Sequence, residues 1–309
     1  MFSYSDILRR AYHITKRHVA LWVFGLFVIG TFNINFLRFS GLLSGQSIRT
    51  ANSLELLGYF QDHPGRLALF CLSVLWVAAL SLILTNWSRV MLLLLGQAAI
   101  EKRYDGWRRQ VSSSWRLLWP VIVISLLTSL LMFFVLAVLL APLWVADPQL
   151  QGMLWVLGLM VFLVLAFTIS CLNIFITMFV VVLRLPLGRA VDAATDFFVA
   201  HWAQILGLTS ILAVIYLFCF GVGVGVLGLV KLLAQIILLD LRAGGALHIH
   251  WIFTIIKFLT GLLLWLLLGG LNAFLNVALL LFFGEKIKPL KSGEGQAAEL
   301  IQPRPAPMS

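Results

Sequence analysis

Three asparagines, a run of glycines and a pair of histidines are the residues whose types and spacing could do chemistry. Asn86, Asn173 and Asn272 each interrupt a long apolar run. At a common depth they would form an intramembrane polar cluster able to bind a substrate group or a lipid headgroup. The plainer reading is hydrogen bonding between helices, at about 1 kcal/mol or less each, and it is the one favoured. Gly221, Gly223, Gly225 and Gly228 look like a nucleotide loop. A dinucleotide fingerprint, however, follows a strand in a βαβ unit, and this run sits within an apolar helix. Gly221 and Gly225 instead give a small-xxx-small face for close helix packing; a helix broken at a transport site is the alternative. His248 and His250, with Asp240 and His63, are the only cluster with metal-ligand chemistry. Residues at i and i+2 do not share a helix face, and a metal site usually shows three ligands at a recognisable spacing. They read as solvated loop histidines.

Lys257 is the one charge well inside an apolar run, about 9 Å along a helix from Trp251, so its stem can snorkel to the interface. No Asp or Glu falls in the core of any span, which counts against a proton-coupled carrier. Walker A, HExxH and GxSxG motifs are missing from the sequence. Cys71, Cys171 and Cys219 lie in apolar runs without metal or redox spacing and read as small core hydrophobes. The sequence therefore predicts no catalytic residue, no cofactor and no metal.

These residues must be positioned by membrane helices. Of 309 residues, 61% are hydrophobic and 11% charged, against roughly 45–50% and about 25% in soluble domains. Too few polar side chains remain to cover a soluble core. Lys plus Arg number 22 and Asp plus Glu 12, a net charge of +10. In a soluble protein that excess could mean nucleic acid; here it reads as basic loops held on the cytoplasmic side, with no nucleic-acid partner.

A span needs about 20 apolar residues. Six candidates occupy residues 19–39, 67–97, 117–140, 153–183, 203–226 and 251–283. The first resembles a signal sequence but lacks a small-x-small cleavage site, so it reads as uncleaved. The segments on the side of the two termini carry sixteen Lys and Arg and the opposite side five. That bias predicts both termini in the cytoplasm. The second span would extend roughly 46 Å, beyond a hydrocarbon core of about 30 Å. It must tilt or project inward, and projection puts Arg89 near the inner boundary.

Each odd-numbered span follows an amphipathic stretch. The apolar stripes are Ile7, Leu8, Ala11 and Ile14; Trp107, Val111, Trp115 and Leu118; and Ala190, Val191, Ala194, Phe197 and Phe198. Such helices lie in the plane of the interface. Met91 and Met178 both follow their asparagine by five positions. The prediction is an all-α polytopic bundle of six transmembrane helices in three hairpin-like units. The membrane domain covers 1–284, with repeat-like units at about 3–100, 101–185 and 186–284. A basic cytoplasmic tail, 285–309, is rich in Pro and Gly and is expected to be flexible because it cannot bury enough surface to offset its ordering entropy. Arg9, Arg10, Lys16, Arg17, Arg108 and Arg109 would form a collar for lipid headgroups, each contributing about 1 kcal/mol near an anionic surface.

The opening, Ser5-Asp6-Ile7-Leu8-Arg9-Arg10-Ala11-Tyr12 followed by Ala20-Leu21-Trp22-Val23-Phe24-Gly25-Leu26, resembles a group of uncharacterised bacterial six-span membrane proteins. Residues 186–205, with Gly188-Arg189-Ala190 and His201-Trp202, resemble their third unit. That group is similar in architecture to the membrane domain of bacterial glycerophosphodiester phosphodiesterases. The resemblance implies six helices in a bacterial inner membrane and no activity, since the catalytic domain of those enzymes has no counterpart here. The expectation is a non-enzymatic scaffold or accessory subunit packed against membrane lipids, with an anionic preference, or against a membrane-protein partner. The alternative is a transporter or permease for a small or lipid-like substrate.

Overall fold

A computed structural model of the chain describes residues 3–28, 64–102, 107–141, 148–241 and 247–292. Among these there is no strand. The helices are α1 (Tyr4–Arg17), α2 (Val19–Val28), α3 (Pro64–Glu101), α4 (Trp107–Leu140), α5 (Pro148–Val182), α6 (Leu187–Leu241) and α7 (Leu247–Ser292). Five are long and apolar enough to cross a bilayer, over Leu67–Glu101, Gln110–Leu139, Leu150–Val182, Leu187–Val230 and Phe258–Ile287. The protein is a multi-pass helical membrane protein. Of the expected first span only the apolar Val19–Val28 is described; residues 29–39 lie outside the described residues.

α1 is held by local rules. Asp6 sits in its first turn, with Lys16 and Arg17 in its last, so both ends complement the helix dipole. Ile7, Ala11 and Thr15, at four-residue spacing, are buried, whereas Arg9, Arg10, His13, Lys16 and Arg17 are exposed. Leu8 and Ile14, expected on the stripe, are only half-buried. The turn into α2 keeps its backbone bonded: His18 N–H donates to the Ile14 carbonyl and Leu21 N–H to the His18 carbonyl, at 3.1 and 3.0 Å. The Trp22 indole N–H reaches back to the Thr15 carbonyl at 2.9 Å.

The stretch before the third expected span differs from the reading above. α4 runs unbroken from Trp107 through Pro120 to Leu140, so no separate helix precedes the span. The expected stripe is kept only in part: Leu118 is buried and Val111 half-buried. Ser114 is fully buried and Trp115 is 57% exposed. The Ser114 hydroxyl donates to the Val111 carbonyl at 2.7 Å, which lets a small polar side chain enter the interior satisfied. In α6 the expected division is present, because His201 adopts non-helical angles (φ −127°, ψ 16°) that separate 187–200 from the span. Ala190, Ala194 and Phe197 are buried there and Asp192, Thr195 and Asp196 exposed, although Val191 is exposed as well. The glycines at 221–228 do not break the helix. His248 and His250 open α7 in place of the expected loop, and α7 continues to Ser292 with Ile287 buried, into the stretch expected as a tail.

Arg184 and Lys102, just past the ends of α5 and α3, both have φ of 55°. At Arg184 the Leu185 N–H donates to the Phe179 carbonyl at 3.3 Å, so the left-handed residue turns the chain back to satisfy one of the last carbonyls of α5.

The described chain divides into two compact units. One comprises Met1–Leu8, Leu93–Leu208 and Val277–Ser309. Within it α4 packs along α5, and an aromatic core gathers Phe175, Phe179, Phe197 and Phe283. Phe179 meets Phe283 edge-on at 4.9 Å and Phe197 meets Phe175 at 5.1 Å. The Tyr4 hydroxyl donates to the Gln204 carbonyl at 3.5 Å and lies over Gly207, where a Cβ would stand 3.0 Å from the Tyr4 hydroxyl oxygen. The other unit comprises Arg9–Leu92 and Thr209–Asn276. In it α2 crosses α7, and Phe24 packs edge-on against Trp87 at 5.6 Å. Along 71–80 of α3 every residue is exposed on all sides of the helix, a belt that only hydrocarbon or protein can cover.

Candidate functional site

Two polar side chains of the last span, Asn272 and Asn276, lie where α2 meets α7. Gly25 on α2 and Gly269 and Gly270 on α7 bring the backbones together. A Cβ on Gly25 would overlap the Gly269 carbonyl oxygen; one on Gly269 would stand 2.7 Å from the Trp22 carbonyl; one on Gly270 would stand 2.9 Å from the Trp22 ring. Only glycine permits this approach. One turn beyond, the Asn272 side-chain amide donates to the Gly25 carbonyl at 3.4 Å, and Asn276 donates to the Asn272 carbonyl at 2.9 Å. Phe27 packs edge-on against Trp265 at 6.2 Å. The junction is therefore a close helix crossing fastened by an amide.

Asn86, in the same unit, is buried and donates to the Leu82 carbonyl of its own helix at 2.8 Å. Asn173 belongs to the other unit. It is half-buried, and its carbonyl accepts the Thr177 hydroxyl at 2.7 Å. The amides of Asn86 and Asn272 thus donate to backbone carbonyls. Sequence reading missed two buried hydroxyls, Thr15 Oγ1 and Ser88 Oγ, which have no hydrogen-bond partner among the described residues. Their only signal was a small polar residue beside a basic one in an amphipathic or apolar run. Met91 and Met178 are both fully buried, at matching distances beyond Asn86 and Asn173.

Gly221 and Gly225 do not carry the packing expected of them. Among the described residues nothing lies within 4 Å of a Cβ at either, whereas Gly223 faces Leu264 at 3.0 Å.

On the basic side, Arg9, Arg10, Lys16 and Arg17 are exposed on α1, with the Lys16 ammonium 5.8 Å from the Tyr12 ring centre. Arg108 and Arg109 lie in the first turn of α4, with side chains outside the described residues. Between α1 and α2, burial holds the His18 imidazole below its ordinary value of 6.5, and the neighbouring Arg17 charge adds to the effect. The side chains of Lys257, His248, His250 and Asp240 also lie outside the described residues, as does His63 entirely. Among the described residues no three His, Cys, Asp or Glu side chains come together. Compared with family models, curated proteins and solved structures, the chain matches none.

Proposed function

We propose that the chain is a non-enzymatic scaffold or accessory subunit of a bacterial inner membrane. In this reading it has six spans in three hairpin-like units, each led by an interfacial helix, and both termini are cytoplasmic. Arg9, Arg10, Lys16, Arg17, Arg108 and Arg109 form a collar on anionic lipid, and the exposed apolar belt takes lipid or a membrane-protein partner. One observation carries this over a transporter: the Asn272 amide, the strongest candidate for a substrate contact, turns an N–H to the Gly25 carbonyl at a glycine-packed crossing. An amide N–H that fastens two helices is one donor fewer for a solute. The likeness of 5–26 and 186–205 to bacterial six-span proteins supports the same topology.

The test is water access. In a cysteine-free background, Asn272→Cys in membranes opened to both sides is expected to resist a charged thiol reagent. Modification at a rate close to that of an exposed control, protected by a solute, would establish a carrier instead. The orientation is tested by the same chemistry in intact cells: Ser53→Cys and Pro148→Cys label from outside, and Ser113→Cys and Ser292→Cys do not.

A further inference from the structure

Among the described residues, Arg89 is a charge set into the packing with no answering group. It lies roughly 33 Å along α3 from Leu67 at about 1.5 Å per residue, one hydrocarbon thickness of about 30 Å. Two residues before it is Trp87. Trp119 and Trp202, near the starts of their own spans, are 72% and 60% exposed, as interfacial aromatics are. Arg89 is half-buried and is flanked by Ser88, Val90, Met91 and Leu92, all fully or almost fully buried. Among the described residues it has no hydrogen bond and no ion pair. The only carboxylate on α3, Glu101, accepts instead from the Gln97 amide at 2.9 Å.

A guanidinium stays charged at any physiological pH. Held partly out of water, it requires an anion. The anion present at this depth in every bilayer is a lipid phosphate, and a planar guanidinium matches its oxygens in a bidentate pair. The side of α3 away from the termini favours a lipid over free phosphate. Outward of Arg89 on its own side of the helix lie Leu82, half-buried, and then Ala78, Leu75 and Cys71, all exposed, which give acyl chains a bed in line with the charge. We infer that Arg89 binds the phosphate of an anionic membrane lipid whose chains lie along the exposed stretch of α3. The inference rests on the membrane reading above and adds a site separate from the collar.

Native mass spectrometry of the full chain, in micelles holding equal phosphatidylglycerol and phosphatidylcholine, tests it. The wild type is expected to keep phosphatidylglycerol over phosphatidylcholine. Arg89→Gln should lower occupancy of the most tightly retained phosphatidylglycerol about tenfold, the effect of losing one charge-assisted hydrogen bond, while Arg108→Gln with Arg109→Gln, which weakens the collar, leaves that most tightly retained lipid in place. Unchanged occupancy in Arg89→Gln overturns the site. If the Gln variant does not fold, Arg89→Lys carries the test: it keeps the charge but not the bidentate geometry, so a partial loss supports the site and wild-type retention overturns it. Millimolar inorganic phosphate should not displace the lipid; displacement, with phosphate retained by lipid-free protein through Arg89, would overturn the lipid assignment. Flotation of wild-type membranes reads the membrane premise separately, because a failure there appears in the wild type itself.

Discussion

Replacing Gly269 with alanine tests the crossing of α2 and α7 most directly. The new methyl would stand 2.5 Å from Leu26 Cδ2 and 2.7 Å from the Trp22 carbonyl, where ordinary contact begins near 3.4 Å. Leu26 can rotate, but a carbonyl on the facing helix cannot. The two helices must therefore part by roughly 1 Å, the scale of overpacking that costs about 1–3 kcal/mol. Parting also stretches the Asn272 bond to Gly25, already 3.4 Å long and worth about 0.6 kcal/mol in a membrane setting. Alanine's better helix propensity returns up to about 1 kcal/mol. The net expectation is a loss of roughly 0.5–2.5 kcal/mol, larger for Gly25→Ala, whose methyl overlaps a backbone oxygen. Gly221→Ala and Gly225→Ala are the controls. Nothing lies within 4 Å of either new methyl among the described residues, so each should be neutral or gain up to about 1 kcal/mol. Thermal unfolding in a mild detergent, read by loss of the monodisperse peak, separates the two pairs. Wild-type stability in Gly269→Ala, or a loss in Gly225→Ala that matches it, would refute the reasoning.

The turn at His18 should respond to acid. Its pKa is lowered in the fold, so stability is full above 6.5 and falls as the pH drops through 6.5 toward the folded value. Melting curves from pH 7.5 to 5 should show this slope, flattened in His18→Gln. At the end of α5, Arg184→Gly should exceed Arg184→Ala in stability by about 1 kcal/mol. Both lose the charge, so the difference isolates the positive φ, and equal melting temperatures would argue against a left-handed residue there. Truncation after Pro289 should leave membrane insertion intact. Truncation before Ile287, which is buried, should lower thermal stability by about 1.5–3 kcal/mol.

The spans were legible because bilayer thickness fixes the length of an apolar run, and α3, α5 and α7 follow those runs closely. α1 was legible because Ile7 and Ala11 recur one turn apart among arginines. The stretch 107–118 was not. Its tryptophans suggest a buried stripe, but an indole also prefers the interface, and a serine that bonds within its own turn can take the interior place, as Ser114 does. The glycines show the same limit. A single sequence reveals that Gly221 and Gly225 share a face, not whether another helix arrives at it. The pairing of Gly25 with Gly269 depends on two segments distant in the chain. Its one local hint was Gly269-Gly270 closely followed by Asn272. The three asparagines could be found from sequence, but not which carbonyl each would reach.

That distance also sets an order of assembly. The carbonyl of Gly25 and the amide of Asn272 are separated by 247 residues. At roughly 5–20 residues per second, ribosomes need about 12–50 s to deliver the second after the first. Throughout that interval α2 is already made while its partner is not, so the glycine groove that fits α7 faces lipid, translocon or a chaperone. A nascent chain interrupted before Gly269 would keep that groove open. Surveillance proteases of the membrane could then recognise an unfinished copy by its first helix.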